Sequence, residues 1–242
     1  IKTQILGAGE NIVAVAACGV VCAYQRAWRR LEARDENAPG GRKEGAGWDR
    51  APETAESVSR GHEDVLGVIG NTPVMRIESL STLTGCEIYV KCEFLNPGGS
   101  VKDRVALRIV ADALASGALR RGGLCTEGTA GSTGVSLAMV CKAFGVECFV
   151  AMPDDASKEK SALVEAYGAR VARVRPVSIA NRGHFVNVAR REAENARTER
   201  GEGGGYFADQ IENLANYREH KDGTAPEIFA QLGEKLDAFV CA

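Results

Sequence analysis

From His62 onward, short apolar runs alternate with amphipathic stretches. Strand-like runs recur at EIYVKCEF (87–94), GLCTEGT (123–129), VECFVAM (146–152), ARVARV (169–174) and LDAFVCA (236–242). Between them the spacing predicts helices over Asp103–Ser116, Thr133–Phe144, Ser157–Tyr167, Asn181–Arg197 and Pro226–Leu232. Strand–helix alternation of this kind predicts an α/β fold, a parallel sheet flanked by helices. Ligands of such sheets bind past the carboxyl ends of the strands, so chemistry is sought in the loops there. The last run, Leu236 to Ala242, reads as a buried strand.

The first sixty residues follow a different pattern. An uninterrupted apolar run, Ile12 to Tyr24, is followed by Arg26, Arg29 and Arg30. It falls short of the roughly 20 residues of a spanning helix, and Glu10 and Asn11 block its extension. A membrane anchor, a targeting sequence and an amphipathic core helix all fit it. The basic cluster lies on the wrong side for a secretory signal, whereas Tyr24 and Trp28 suit a membrane interface. Residues 1–31 therefore read as a hydrophobic anchor or targeting segment. Residues 32–60 are charged and rich in Gly, Ala and Pro, with Trp48 the one large apolar side chain, and read as a flexible linker. Residues 61–242 read as the folded catalytic part.

Composition narrows the function classes. The 242 residues are 45% hydrophobic and 26% charged with a formal net charge of -2, which suits a globular core and offers nucleic acid no electrostatic footing. The 8 cysteines form no CxxC pair and read as reduced, mostly buried thiols of an intracellular protein. His62, His184 and His220 share no metal-ligand spacing, so no metal site is expected.

Three loops carry candidate chemistry. In NPGGSVKDR, Asn96 to Arg104, Lys102 sits where a glycine turn enters a helix. A helix start disfavours an ammonium and so favours the neutral amine that Schiff-base chemistry requires; a solvated surface lysine is the plainer alternative. In EGTAGSTG, Glu127 to Gly134, small residues let the backbone approach an anion, and Thr129, Ser132 and Thr133 add hydroxyls. The loop lacks a P-loop lysine, so a carboxylate or a single phosphate suits it better than a triphosphate. In FADQIENLANY, Phe207 to Tyr217, the side chains of Gln210, Asn213 and Asn216 either orient a polar ligand or cap the following helix.

Taken together, IGNTPVMRI, NPGGSVKDR, EGTAGSTG, FADQIENLAN and GTAPEI resemble, in order and spacing, the cysteine synthases and cystathionine β-synthases. These are pyridoxal-phosphate enzymes of the tryptophan-synthase-β fold type, with two subdomains (fold type II). The resemblance runs from about Leu66 to Ala242. It implies that Lys102 forms the Schiff base with the cofactor and shuttles the substrate Cα proton. It implies further that Thr129, Ala130, Thr133 and Gln210 bind the substrate α-carboxylate, and that Asn71 and Thr72 are structural. Ser132 stands where cysteine synthases usually carry Asn against the cofactor's phenolic oxygen, so that contact is shortened.

The implied reaction is β-replacement, O-acetylserine plus sulfide giving cysteine plus acetate. Cystathionine β-synthase-like or serine/threonine dehydratase chemistry is the alternative within the class. A non-catalytic membrane-tethered fragment is the alternative outside it. The family's phosphate-binding GTGGT loop and its pyridine-contacting serine do not occur in these residues, so the chain reads as the N-terminal part of a homodimeric enzyme, incomplete at the C-terminus, and these residues by themselves as inactive for want of a firmly held cofactor. Cys18 and Cys22 lie in the apolar segment, and no haem is expected. The variant loop resembles a fungal membrane-anchored branch of cysteine-synthase-like proteins. That likeness favours an anchor at 12–24 on the mitochondrial outer membrane facing the cytosol, with a cytoplasmic protein as the alternative.

Overall fold

The computed structural model describes residues 12–16, 64–233 and 236–241. The expected linker at 32–60 lies outside the described residues. Among the described residues, eight strands form two four-stranded sheets. One has the order β6-β5-β4-β7, from β4 (Leu124–Gly128), β5 (Glu147–Pro153), β6 (Arg170–Val174) and β7 (Gly205–Phe207), all parallel. The other has the order β2-β3-β1-β8, from β1 (Ile12–Ala16), β2 (Val74–Arg76), β3 (Glu87–Lys91) and β8 (Leu236–Cys241). Here β1 runs parallel to both β3 and β8, and β2 is antiparallel to β3.

The helices are α1 (Glu78–Thr84), α2 (Lys102–Ala115), α3 (Ser132–Phe144), α4 (Lys158–Ala166), α5 (Phe185–Arg200), α6 (Leu214–Glu219) and α7 (Ala225–Leu232). They flank parallel strands as the alternation predicts. Every residue of β4 is buried, as befits a parallel strand covered on both faces. On one face Ile109, Leu137, Val140 and Val150 join α2 and α3 to the sheet. On the other, Ala189 and Ala196 of α5 meet Leu124 and Phe149. Cys92, Cys125, Cys141 and Cys148 are buried free thiols.

Ile12–Ala16, the start of the apolar run, is a strand; the rest of that run lies outside the described residues. Two expectations need correction. LDAFVCA is not deeply buried: Leu236 and Phe239 are half-buried, and Val240 is 41% exposed. The run 87–94 ends as strand at Lys91 and turns into a 3-10 helix, Glu93–Leu95.

A buried charge network ties these parts together. Arg104 holds Glu93 at 2.8 Å and Glu227 at 2.6 Å, and Lys91 meets Glu227 at 2.7 Å. Thr72 Oγ1 donates to Glu93 at 2.8 Å, and the Asn71 N–H donates to Glu227 at 2.9 Å. Two cations face two carboxylates, so the charges balance inside the protein. Burial alone would raise the Glu227 pKa; Arg104, Lys91 and the Asn71 N–H outweigh it and hold the group at about 2, against an ordinary 4.5. A carboxyl depressed on folding stabilises the protein above pH 4.5, and that stability is lost as pH falls towards 2. Glu227→Gln should therefore lower stability at neutral pH by about 3 kcal/mol and blunt the loss of stability in acid. Denaturant unfolding at a series of pH values checks both, and an unchanged acid limb would contradict the assignment.

Candidate active site

The turn before Lys102 is built around the residue that follows it. Asp103 is fully buried and accepts the Gly98 N–H at 2.5 Å and the Ser136 hydroxyl at 2.5 Å. A Cβ at Gly98 would run into the Asp103 carboxylate, and Gly99 has φ +80°, so each glycine has its own reason. Asn96 fixes the far side, donating to Glu93 and accepting the Gly70 N–H at 2.8 Å. Lys102 is thereby held as the first residue of α2, half-buried, with its own N–H on Ser100 Oγ at 3.2 Å. The Asp103–Ser136 bond sets this helix start beside α3.

The second loop, Thr129 to Gly131, joins β4 to α3. Gly128 admits the backbone of α5 so closely that a Cβ there would lie 2.5 Å from Val186 Cα. Thr129 is buried and accepts the Gly131 N–H at 3.1 Å, Ala130 is exposed, and Ser132 is half-buried. The N-cap of α3 is Gly131, which has no side chain to cap with, so first-turn N–H groups at Ser132 and Thr133 are available to an anion.

Gln210 arrives from the third loop. Thr133 Oγ1 donates to Gln210 Oε1 at 2.5 Å, joining two of the predicted carboxylate-binding residues. Asp209, at φ +48°, makes the bend that presents Gln210. Asn213 caps α6 by accepting the Ala215 N–H, and Asn216 donates to the Gln210 carbonyl at 2.9 Å. Asn213 thus takes the capping role, whereas Asn216, inside α6, ties down the loop that carries Gln210.

Two residues near the site carry no mark in the sequence. His220 is buried at the start of a π-turn, His220–Thr224, with Nδ1 3.0 Å from Thr224 Oγ1. Its Nε2 has no partner among the described residues. Burial first, then the charges of Lys102 and Arg104, lower its pKa to about 4, so the ring near Lys102 is neutral. Glu127 is the other: a buried carboxyl raised to about 7, chiefly by burial. Periodicity marks both as ordinary positions, since burial of a polar side chain is a property of packing.

An amine at a fixed helix start and an uncapped, hydroxyl-bearing helix N-terminus after a parallel strand are the features of an α/β protein whose loops can hold a carbonyl group and an anion. The chain belongs to the pyridoxal-phosphate dependent enzyme family, whose model matches residues 65–242. Cysteine synthase 2 of Schizosaccharomyces pombe is 48% identical over 198 residues, covering 79% of this chain and 49% of that protein. Cysteine synthase 2 of Neurospora crassa is 50% identical over 182 residues, covering 74% and 40%. The cystathionine beta-synthase of Mus musculus is more distant, at 39% over 186 residues, covering 74% and 31%. Among solved structures, O-ureido-L-serine synthase superposes with a TM-score of 0.62 at 37% identity, covering 70% of this chain and 50% of that one. The chain thus spans about half the length, or less, of the curated relatives it matches.

The close approach at Gly128 gives a direct check on this geometry. Gly128→Ala should destabilise the protein by about 1–3 kcal/mol, because the backbone of α5 must shift to admit a methyl group. Denaturant unfolding measures it, and a neutral substitution would contradict the contact.

Proposed function

We propose that the full-length protein catalyses pyridoxal-phosphate-dependent β-replacement, converting O-acetylserine and sulfide into cysteine and acetate. The observation that supports it most is that Lys102 opens α2, while the Asp103–Ser136 bond ties that helix start to α3, whose Thr133 bonds Gln210. The donor set suits the cofactor: an amine for its aldehyde, a Ser132 hydroxyl for its ring oxygen, and a neutral imidazole near the amine. Pyridoxal phosphate, when bound, supplies the electron sink that loosens the Cα proton and the β-leaving group.

The side chains divide the remaining work. Thr129 and Thr133 hydroxyls, the backbone at Ala130 and the Gln210 amide bind the α-carboxylate and so aim Cα at Lys102. Lys102 removes the Cα proton and returns it after sulfur has replaced acetate. The C–O bond to acetate breaks and the C–S bond forms, with no net oxidation. A homodimer and a small amino-acid substrate complete this reading. Cystathionine synthesis, dehydration and a non-catalytic tethered fragment are its competitors.

Location is part of the proposal. An anchor through 12–24 on the mitochondrial outer membrane is supported by the apolar run and the arginines after it. No helix among the described residues is long and apolar enough to cross a membrane. Strand β1 uses Ile12–Ala16, so these residues cannot lie in the sheet and in lipid at once. Retention in the pellet after carbonate extraction favours the anchor, and release favours the cytoplasmic alternative.

Lys102→Ala should abolish cysteine formation from O-acetylserine and sulfide. Thr133→Val should raise KM for O-acetylserine about tenfold or more with a smaller change in kcat, as loss of a bond to a charged group implies. Steady-state assays check both, and substantial turnover by Lys102→Ala would refute the reading. Preferential product from serine and homocysteine would reassign the enzyme to cystathionine synthesis.

A further inference from the structure

Serines and threonines in helices usually return the hydroxyl proton to the carbonyl one turn back. Thr84, Ser116 and Thr198 do so here, at 2.7, 2.8 and 2.9 Å. Ser136, in the second turn of α3, does not. Its hydroxyl stands 3.2 Å from the corresponding carbonyl, that of Ser132, but 2.5 Å from Asp103 Oδ1 on α2. One proton cannot serve both acceptors fully, and the shorter bond, to a carboxylate, takes it.

Both ends of that bond are fully buried. Asp103 receives the Ser136 hydroxyl on Oδ1 and the Gly98 N–H on Oδ2, and both donors are neutral. The arginines of α2 are engaged elsewhere, Arg104 with Glu93 and Glu227, and Arg108 with Asp112 and Asp222. An interior carboxylate held by two neutral donors depends on each of them. One of the two is backbone, so Ser136 supplies the side-chain half of the tie.

Thr133 and Ser136 are three residues apart and so share a face of α3. Each sends its proton off the helix, Thr133 to Gln210 and Ser136 to the residue after Lys102. One stretch of helix therefore spans from the pocket to the start of α2.

We propose that Ser136 is a positioning residue: through Asp103 it holds the Lys102 helix start at a set separation from the Thr133–Gln210 pocket, and so acts on turnover rather than on substrate binding. The inference rests on the roles proposed above for Lys102, Thr133 and Gln210. Loss of the Ser136 hydroxyl takes no partner from Thr133 or Gln210, so the carboxylate pocket persists. The turn from Gly98 to Lys102 does lose its tie to α3, and the amine shifts against the carbon it must reach. Misplacement by about an ångström costs on the order of a hundredfold in rate.

The test uses the full-length protein. Ser136→Ala should lower kcat for cysteine formation by about tenfold to about a hundredfold, while KM for O-acetylserine stays within about twofold. Adding Asp103→Asn removes the buried charge that lacks a donor. Stability in denaturant should then partly return, but kcat should stay low, because α2 and α3 are still untied. The double variant also supplies the kinetic comparison if Ser136→Ala alone does not fold. Recovery of kcat along with stability would make Ser136 merely structural and overturn the proposal, as would an unchanged kcat, with or without a rise in KM.

Hydrogen exchange of the cofactor-free proteins gives a reading that needs no turnover. Amides from Gly98 to Arg104 should exchange faster in the double variant than in wild type, while those of β4 and β5 keep their rates. Equal rates in the turn, or a rise everywhere, would overturn the tie. A wild type that makes no cysteine but shows the local difference would refute the function proposed above and leave the tie standing.

Discussion

The interaction on which the rest depends is the buried pairing of Arg104 with Glu93 and Glu227. Arg104 is 1% exposed and uses two edges of its guanidinium, one for a carboxylate from the segment after β3 and one for a carboxylate from α7. Removing either partner would strand a charge in the interior, at a cost of several kcal/mol. Because Arg104 stands two residues after Lys102 on α2, the same bonds that close the core fix the helix start that carries the amine. Glu93 passes the constraint to Asn96 and Thr72, so the turn before Lys102 and the strand entry at 71–76 are held by one set of charges.

The second sheet contributes a complementary rigidity made of close backbone approach rather than charge. In the sheet that holds β4 and β7, the segments after these two strands meet where Thr133 bonds Gln210. The two constructions share the Asp103–Ser136 bond, which joins the start of α2 to the start of α3. Chemistry that needs a cofactor amine and a carboxylate pocket at a set separation gains from such a joint, since misplacement of either group by an ångström is costly.

Much of this was legible in the sequence because the informative features are local. The helix bearing Lys102 was expected one residue late, and the strand cores at 124–128, 147–153 and 170–174 differ from the expected runs only at their ends. Glycines at 98, 99 and 128 and the small residues of the Thr129 loop announced turns. The three-residue strands β2 and β7 escaped notice because so few residues carry no periodicity. Ile12–Ala16 was taken with the apolar run because its pairing with Glu87–Lys91 and with the last strand is set by partners far along the chain. Likewise nothing near Arg104 announces Glu227, 123 residues away. The burial of Glu127 and His220 follows from packing that no single segment encodes.

The placement of the cofactor on Lys102 carries everything proposed about function. Purified protein incubated with pyridoxal phosphate, reduced with borohydride, digested and mapped by mass spectrometry tests it directly. A pyridoxyl group concentrated on Lys102 is the expected result. Labels scattered over surface lysines, with no enrichment at Lys102, would contradict the assignment.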